Sequence, residues 1–432
     1  MTVLQAARRG KSASSTVFKV TLVCFAVSMI DGFDTLMLSF VAPLLAKSLH
    51  MDHAALGRVF GAGFVGTVLG SLLIGPAADR FGRRPMLVLA LVVTGVFTLL
   101  CAFAQTALAL AALRFIGGLG MGGAIPAIAA ITAESSHSEK RSSLVILMFI
   151  GFPLGAVVGG AVTSVLMMRF GWPFVFFLGG TCALLAIWSV LKVIPKTEVA
   201  RGEAASAPDS VVGSFVGNLF ADGRGPSTLA LWFGVLAAMI LSGFLVSFMP
   251  TILNLNGVAP DRAALGAVVL NLGAIIGALV ISAIVGRAGP FVPVAISFLC
   301  GGALVFILGR VIGAGNAAFG LLFLVGAFLV GGQLTIPAIA SRLFPATTRA
   351  AGIGWAMAIG RTGSIIGPLV GGMLLAQHLP LPQLFLIASS LAVFGAAGIS
   401  LSNYWRPRDD IDRNRSFNRS TLKEAKATDG NH

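Results

Sequence analysis

The chain has 432 residues, of which 56% are hydrophobic and 11% charged, and its mean hydropathy is +0.94. Soluble domains carry about 25% charged residues, so this composition excludes an ordinary soluble enzyme or binding module and calls for an integral membrane protein. The formal charge of +14 would point to nucleic acid in a soluble chain, but here the basic residues report topology, and no nucleic-acid partner is expected.

At about 20 apolar residues per crossing, spans are expected near 18–46, 56–78, 85–104, 107–132, 143–167 and 172–194. A second set follows near 228–254, 263–286, 289–312, 315–340, 350–376 and 381–403. The first apolar stretch exceeds the roughly 7–15 residues of a cleavable signal core, so it is expected to remain as a membrane helix. The organisation is then an N-terminal segment 1–17, a six-helix half 18–194, a polar linker 195–227, a second half 228–403 and a disordered tail 404–432. Seven of the 30 Lys and Arg residues lie away from the loops on the side of the N-terminus. Lys47, Arg58, Arg169, Arg262 and Arg310 fall in the opposite loops, and Arg114 and Arg361 fall inside helices. The excess of basic residues puts both termini in the cytoplasm. Cys24, Cys101, Cys182 and Cys300 stand in apolar runs without CxxC spacing, which predicts free thiols and neither metal nor cofactor.

Within the first span, "SMIDGFDTLMLSF" carries Asp31 and Asp34 on one face, three residues apart and near the middle of the helix. Helix capping does not explain them, because caps belong at ends. A charge in this setting is expensive, and a like charge beside it adds to the cost. Proton uptake by one of the two is the cheapest relief, and that is the chemistry of a proton-coupled carrier. In the fourth span, "RFIGGLGMGG" holds Arg114, and "AMAIGRTGSIIGPLVGG" in the eleventh holds Arg361. Each cationic side chain costs at least about 2.5–3.5 kcal/mol on insertion scales. Arg114 therefore needs a partner, a water-filled cavity or a path to the interface. Arg361, deeper in its helix, reads as a clamp for a substrate carboxylate or as half of a fixed internal ion pair.

Internal repetition organises the chain. "IPAIA" occurs at 125–129 and again at 336–340, and "GFPLGAVVGG" at 151–160 shares its glycine spacing with "GSIIGPLVGG" at 363–372. "GPAADRFGRRP" from Gly75 has an eroded counterpart, "SAIVGRAGP" from Ser282, with Gly286 where the carboxylate would stand. The two halves are thus parallel repeats, an architecture used by transporters.

The loop "GPAADRFGRRP" and the helix-four pattern through Gly118, Gly120 and Gly122 resemble the major facilitator superfamily. The resemblance implies an all-α fold of twelve transmembrane helices in two six-helix pseudo-repeat halves. It further implies a cytoplasmic latch built from Gly75, Asp79, Arg80, Gly82, Arg83 and Arg84 with Glu134, Lys140 and Arg141, and Arg349 beside it in the cytoplasmic gate.

"DGFDT" in the first span, with "LFADGRGPSTLALWFG" at 219–234, "GGQ" at 331–333 and "TTRAAGIGWAMAIGRTGSIIGPLVGG" at 347–372, is similar to the aromatic acid:proton symporter family. Inward movement of benzoate-like anions such as hydroxybenzoates or protocatechuate, together with protons, is what that similarity implies, with Asp31 and Asp34 as the functional acidic pair. The same cargo needs a cation, a flat apolar surface and a few polar groups. Arg361 or Arg114 can supply the first, Phe33, Trp232 and Trp355 the second, and Asn271, Gln333 and Ser39 the third. A multi-pass protein of the bacterial inner membrane, working as a monomer on an aromatic acid anion and a proton, is expected. A symporter for another organic anion or a sugar remains open. So does an efflux antiporter, although Gly155 is followed by Ala156 and not by the Pro of the antiporter signature. No nucleophile, base and acid set marks an enzyme.

Overall fold

A computed structural model of the protein describes residues 3–136, 141–195, 219–313, 316–345 and 348–407. Lys140, most of the linker (196–218) and the tail from 408 lie outside the described residues, as do the side chains of Asp79 and Arg141. Twelve helices among the described residues are long and apolar enough to cross a membrane. They are α1 (Val3–Ser48), α2 (His53–Phe81), α3 (Arg83–Cys101), α4 (Ala107–Ser135), α5 (Arg141–Phe170) and α6 (Trp172–Val193) in the first half. The second half has α7 (Gly225–Leu255), α8 (Pro260–Ala288), α9 (Phe291–Val311), α10 (Asn316–Leu343), α11 (Arg349–Ala376) and α12 (Leu381–Tyr404). Successive crossings alternate in direction, so both ends of the chain emerge at one end of the bundle, here the termini face, opposite the far face.

Local chemistry sets the boundaries. Asp52 caps α2 by accepting the Ala55 N–H at 2.6 Å, and Thr106 caps α4 through the Ala109 N–H at 3.2 Å. Gly82, the single residue between α2 and α3, has φ 96°, and Gly289 holds the matching place between α8 and α9 with φ 79°. The glycine turn is thus kept in both halves, although the carboxylate of the first copy is not. Two elements differ from expectation. First, α1 begins at Val3, well before residue 18, because the preceding Ala- and Arg-containing stretch is itself a good helix former. Second, α10 is not one regular helix: Asn316–Val325 passes into a π-helical turn, Gly326–Val330, and after Gln333 the helix restarts at Ile336 with Pro337 in its first turn. The hydroxyl of Ser297 on α9 donates to the Phe328 carbonyl inside the π turn.

Glycines hold each half together. A Cβ on Gly66, Gly70 or Gly122 would run into the backbone carbonyls of Phe115, Leu119 or Thr67 along the α2–α4 contact. In the second half Gly273, Gly277 and Gly326 play the same part between α8 and α10. Contacts between the halves gather near the far face. Ser39 of α1 donates to the Val246 and Ser247 carbonyls of α7 at 2.6 and 3.0 Å. The rings of Phe60 and Phe248 meet edge to face at 5.6 Å. Gly57 and Gly372 bring α2 and α11 to backbone contact, where a Cβ on Gly57 would stand 2.6 Å from the Pro368 carbonyl oxygen. Toward the termini face, Gly75, Gly286 and Gly354 have nothing within 4 Å of a Cβ position, and Arg80 and Arg349 are exposed. The hydrogen bonds, ring pair and glycine crossing that join the halves thus lie at the far face.

Glycine 122 gives a direct check on this packing. Gly122→Leu is expected to overpack the α2–α4 seam by about 1–3 kcal/mol and to lower the melting temperature of the purified protein in detergent. Gly75→Ala, with open space at its Cβ, is expected to leave that temperature unchanged.

Candidate transport site

Helix α1 carries both acids of its midpoint into the bundle, where Asp31 and Asp34 are each 4% exposed. Their surroundings differ. The Thr98 hydroxyl of α3 donates to one oxygen of Asp34 at 2.7 Å, and Nη1 of Arg114 on α4 reaches the other at 3.2 Å. Nη2 of Arg114 also donates to the Asp34 backbone carbonyl at 2.9 Å. Arg114 is 8% exposed, so the two charges form a buried, hydrogen-bonded pair inside the first half. Of the readings open for Arg114, the internal partner is the one observed.

Asp31 has no such company. It takes no hydrogen bond or ion pair from any described residue, and the charges near enough to act on it are Asp34 and Arg361. Arg361, half-buried on α11, makes no hydrogen bond or ion pair among the described residues. A carboxylate and a guanidinium from opposite halves are thus within electrostatic range of one another, neither with a hydrogen-bonded partner among the described residues. Beside the Asp34–Arg114 pair, a small crevice lies between α1, α2 and α4, lined by Asp34, Thr35, Phe60, Phe64, Thr67 and Arg114.

The other candidates are distributed as follows. Gln333 donates to the Ala238 carbonyl at 2.5 Å and so ties α10 to α7, while Asn271 donates to the Ala267 carbonyl of its own helix at 2.8 Å. Phe33, 7% exposed, lies over Gly159 of α5 and Gly179 of α6 as a packing side chain. Trp355 stacks on Trp232, with ring centroids 5.8 Å apart, and Phe220 meets Trp232 edge-on. This aromatic cluster sits toward the termini face, less than two turns from the start of α11. At the loop between α2 and α3, Arg83 pairs with Glu134 at 2.7 Å, and Arg84 donates to the Leu191 carbonyl at 2.5 Å. Both contacts stay within the first half. Arg349, exposed at the start of α11, has no ion-pair partner among the described residues.

Sequence reasoning missed Thr98 as the third member of the Asp34 cluster, since a lone Thr in "TGVFTLLC" carries no signal of its own. It named Ser39 as a polar group for substrate, and the structure has it bridging the two halves.

Because Asp34 and Arg114 satisfy each other in a buried setting, losing one strands the other. Arg114→Met is expected to destabilise the protein by about 3–5 kcal/mol, and adding Asp34→Asn to it should recover part of that loss. Melting curves of the two single variants and the double variant check the coupling.

Residues 24–336, and in a second match 231–428, fit the family described as Major Facilitator Superfamily. A gallate transporter of Pseudomonas putida is 32% identical over 411 residues, covering 89% of this chain and 91% of that one. The 4-hydroxybenzoate transporter PcaK of Pseudomonas aeruginosa is 30% identical over 399 residues, with coverage of 86% and 89%. The 3-(3-hydroxy-phenyl)propionate transporter of Escherichia coli is 31% identical over 373 residues, with coverage of 85% and 90%. Among solved structures, a D-xylose-proton symporter superposes with a TM-score of 0.71 at 18% identity, over 90% of this chain and 97% of that one.

Proposed function

Since the chain belongs to the Major Facilitator Superfamily, and is a transporter and not an enzyme, we propose that it is a proton-coupled symporter importing aromatic carboxylic acids by alternating access. Relatives named for gallate, 4-hydroxybenzoate and hydroxyphenylpropionate all handle a carboxylate on or near a hydroxylated ring. The partners are then the acid anion, a proton and the lipid bilayer, and one chain suffices, because the facing charges belong to the two halves of a single polypeptide.

The observation that carries the reading is the contrast between the two acids. Asp34 is committed to Arg114 and Thr98. Asp31 is buried without a hydrogen-bonded partner and lies within electrostatic reach of Arg361 from the other half. Ionised Asp31 competes with a substrate carboxylate for Arg361. Protonated Asp31 no longer does, and the guanidinium is then free to take the anion bidentately. Proton and anion thus load together and leave no net charge to carry through the occluded state. The halves rock about the site, with the far-face contacts of Ser39, Phe60 and Gly57 parting and the termini face closing around the Arg83–Glu134 latch. With the termini in the cytoplasm, as the basic loops favour, contacts between the halves at the far face are those an inward-facing state would keep. The similarity to a sugar symporter at 18% identity bears on the fold alone, so it does not favour a sugar as cargo.

Proteoliposomes loaded at neutral pH should accumulate labelled 4-hydroxybenzoate when the outside is made acidic, and should lose that accumulation when an ionophore collapses the gradient. Uptake that ignores the gradient would remove the proton from the cycle. Asp31→Asn is expected to abolish uphill accumulation while preserving exchange of labelled for unlabelled acid. Arg361→Gln should weaken substrate binding about 10- to 100-fold, the scale of a charge-assisted hydrogen bond, in both assays. Full uphill transport by Asp31→Asn would move the coupling site elsewhere.

A further inference from the structure

Outside the transport path, the described basic residues at the termini face are paired unevenly. Glu134 is taken by Arg83. Arg84 and Lys192 have no carboxylate within ion-pair distance among the described residues. They stand together: Arg84, in the first turn of α3, holds the Leu191 carbonyl near the end of α6 with Nη2, and Lys192 is the next residue. The Lys192 ammonium lies 3.8 Å from the ring centroid of Trp188, one turn back on α6. Trp188 is 63% exposed, on the outer surface of the bundle. From that point toward the far face, Leu185 on α6 and Leu89, Val92 and Val96 on α3 are exposed apolar side chains. Their spacing is that of one helix face each, and Gly95 and Gly180 set α3 and α6 in close contact between the two rows.

We propose that this ridge is a binding site for an anionic phospholipid, with the headgroup phosphate between Arg84 and Lys192 and the acyl chains along Leu185, Leu89, Val92 and Val96. Two neighbouring cations without a counter-ion among the described residues form the polar end, an interfacial Trp marks the depth of the headgroup layer, and the apolar rows continue from it in the direction the acyl chains must run. Net charge decides for an anionic lipid over a zwitterionic one, because a choline or ethanolamine group would bring a third cation to the same spot. The contact between Arg84 and the end of α6 ties that guanidinium to the α3–α6 ridge.

Native mass spectrometry of the full-length protein, titrated with phosphatidylglycerol, cardiolipin or phosphatidylcholine, tests the site. Wild-type protein should retain the anionic lipids in preference to phosphatidylcholine. Arg84→Gln/Lys192→Gln should reduce their retention about tenfold or more, and Arg310→Gln at the far face should not. Lys192→Gln alone, which removes no hydrogen bond among the described residues, should show an intermediate loss, so a folding defect in the double variant would not decide the matter. Equal retention of the anionic lipids by wild type and variants would overturn the proposal, as would a wild type that does not distinguish them from phosphatidylcholine. So would competition by millimolar inorganic phosphate alone, which would mark a soluble-anion site. None of these outcomes depends on whether the protein carries aromatic acids.

Discussion

A charge held inside the membrane needs a partner or a proton, and the fold meets that demand in two different ways at the same depth of α1. Asp34 is met completely by Arg114 and Thr98, all three side chains lying within the first half. Asp31 has no hydrogen-bonded partner among the described residues, and the cation that acts on it, Arg361, stands on α11 of the other half. The first arrangement survives any rigid movement of one half against the other. The second changes with that movement, because its members ride on different bodies. Adjacent acids on one helix face are thereby divided into a structural charge and an adjustable one.

That division has meaning only if the halves are stiff, and the glycine seams supply the stiffness. Along α2–α4 and α8–α10 there is no room for a Cβ at the positions of closest approach, so the helices within a half cannot slide apart gradually. Between the halves the contacts are fewer and chemically lighter: a Ser hydroxyl on two carbonyls, an edge-to-face ring pair and a glycine crossing. Each can be broken without stranding a buried charge. The far-face contacts are therefore of a kind that can be undone at low cost.

The sequence revealed most of this architecture and about half of the site. Twelve spans and the repeat were legible because a bilayer imposes length and apolarity on every crossing, and because glycine at a positive φ, as at Gly82 and Gly289, leaves a mark that survives divergence. Asp31, Asp34, Arg114 and Arg361 were legible as costly exceptions. Which acid pairs with which arginine was not, since i to i+3 spacing places both on one face and says nothing of what the neighbouring helices present there. Phe33 illustrates the same limit. An aromatic side chain in an apolar helix reads identically whether it lines a cavity or fills the space over Gly159 and Gly179.

The break in α10 shows where the repeat was allowed to lapse. "IPAIA" lies within the continuous helix α4 in the first half, whereas in the second the same five residues open a new helix after a π turn and a gap at Leu334 and Thr335. Gly331 and Gly332 stand at the break, tight against α8 and α9, and Gln333 reaches the Ala238 carbonyl of α7. In the first half the equivalent pair of helices, α4 and α1, is joined by the Arg114–Asp34 ion pair. The same helix-to-helix link is thus made once by charge and once by an amide, and only the version made by charge has a regular helix behind it. An irregular backbone in a membrane is tolerated where protein or water satisfies its polar groups, and Ser297 does so for the Phe328 carbonyl. The asymmetry leaves the first half to hold the buried ion pair, and the second to offer Arg361 from α11 beside a helix that is already broken.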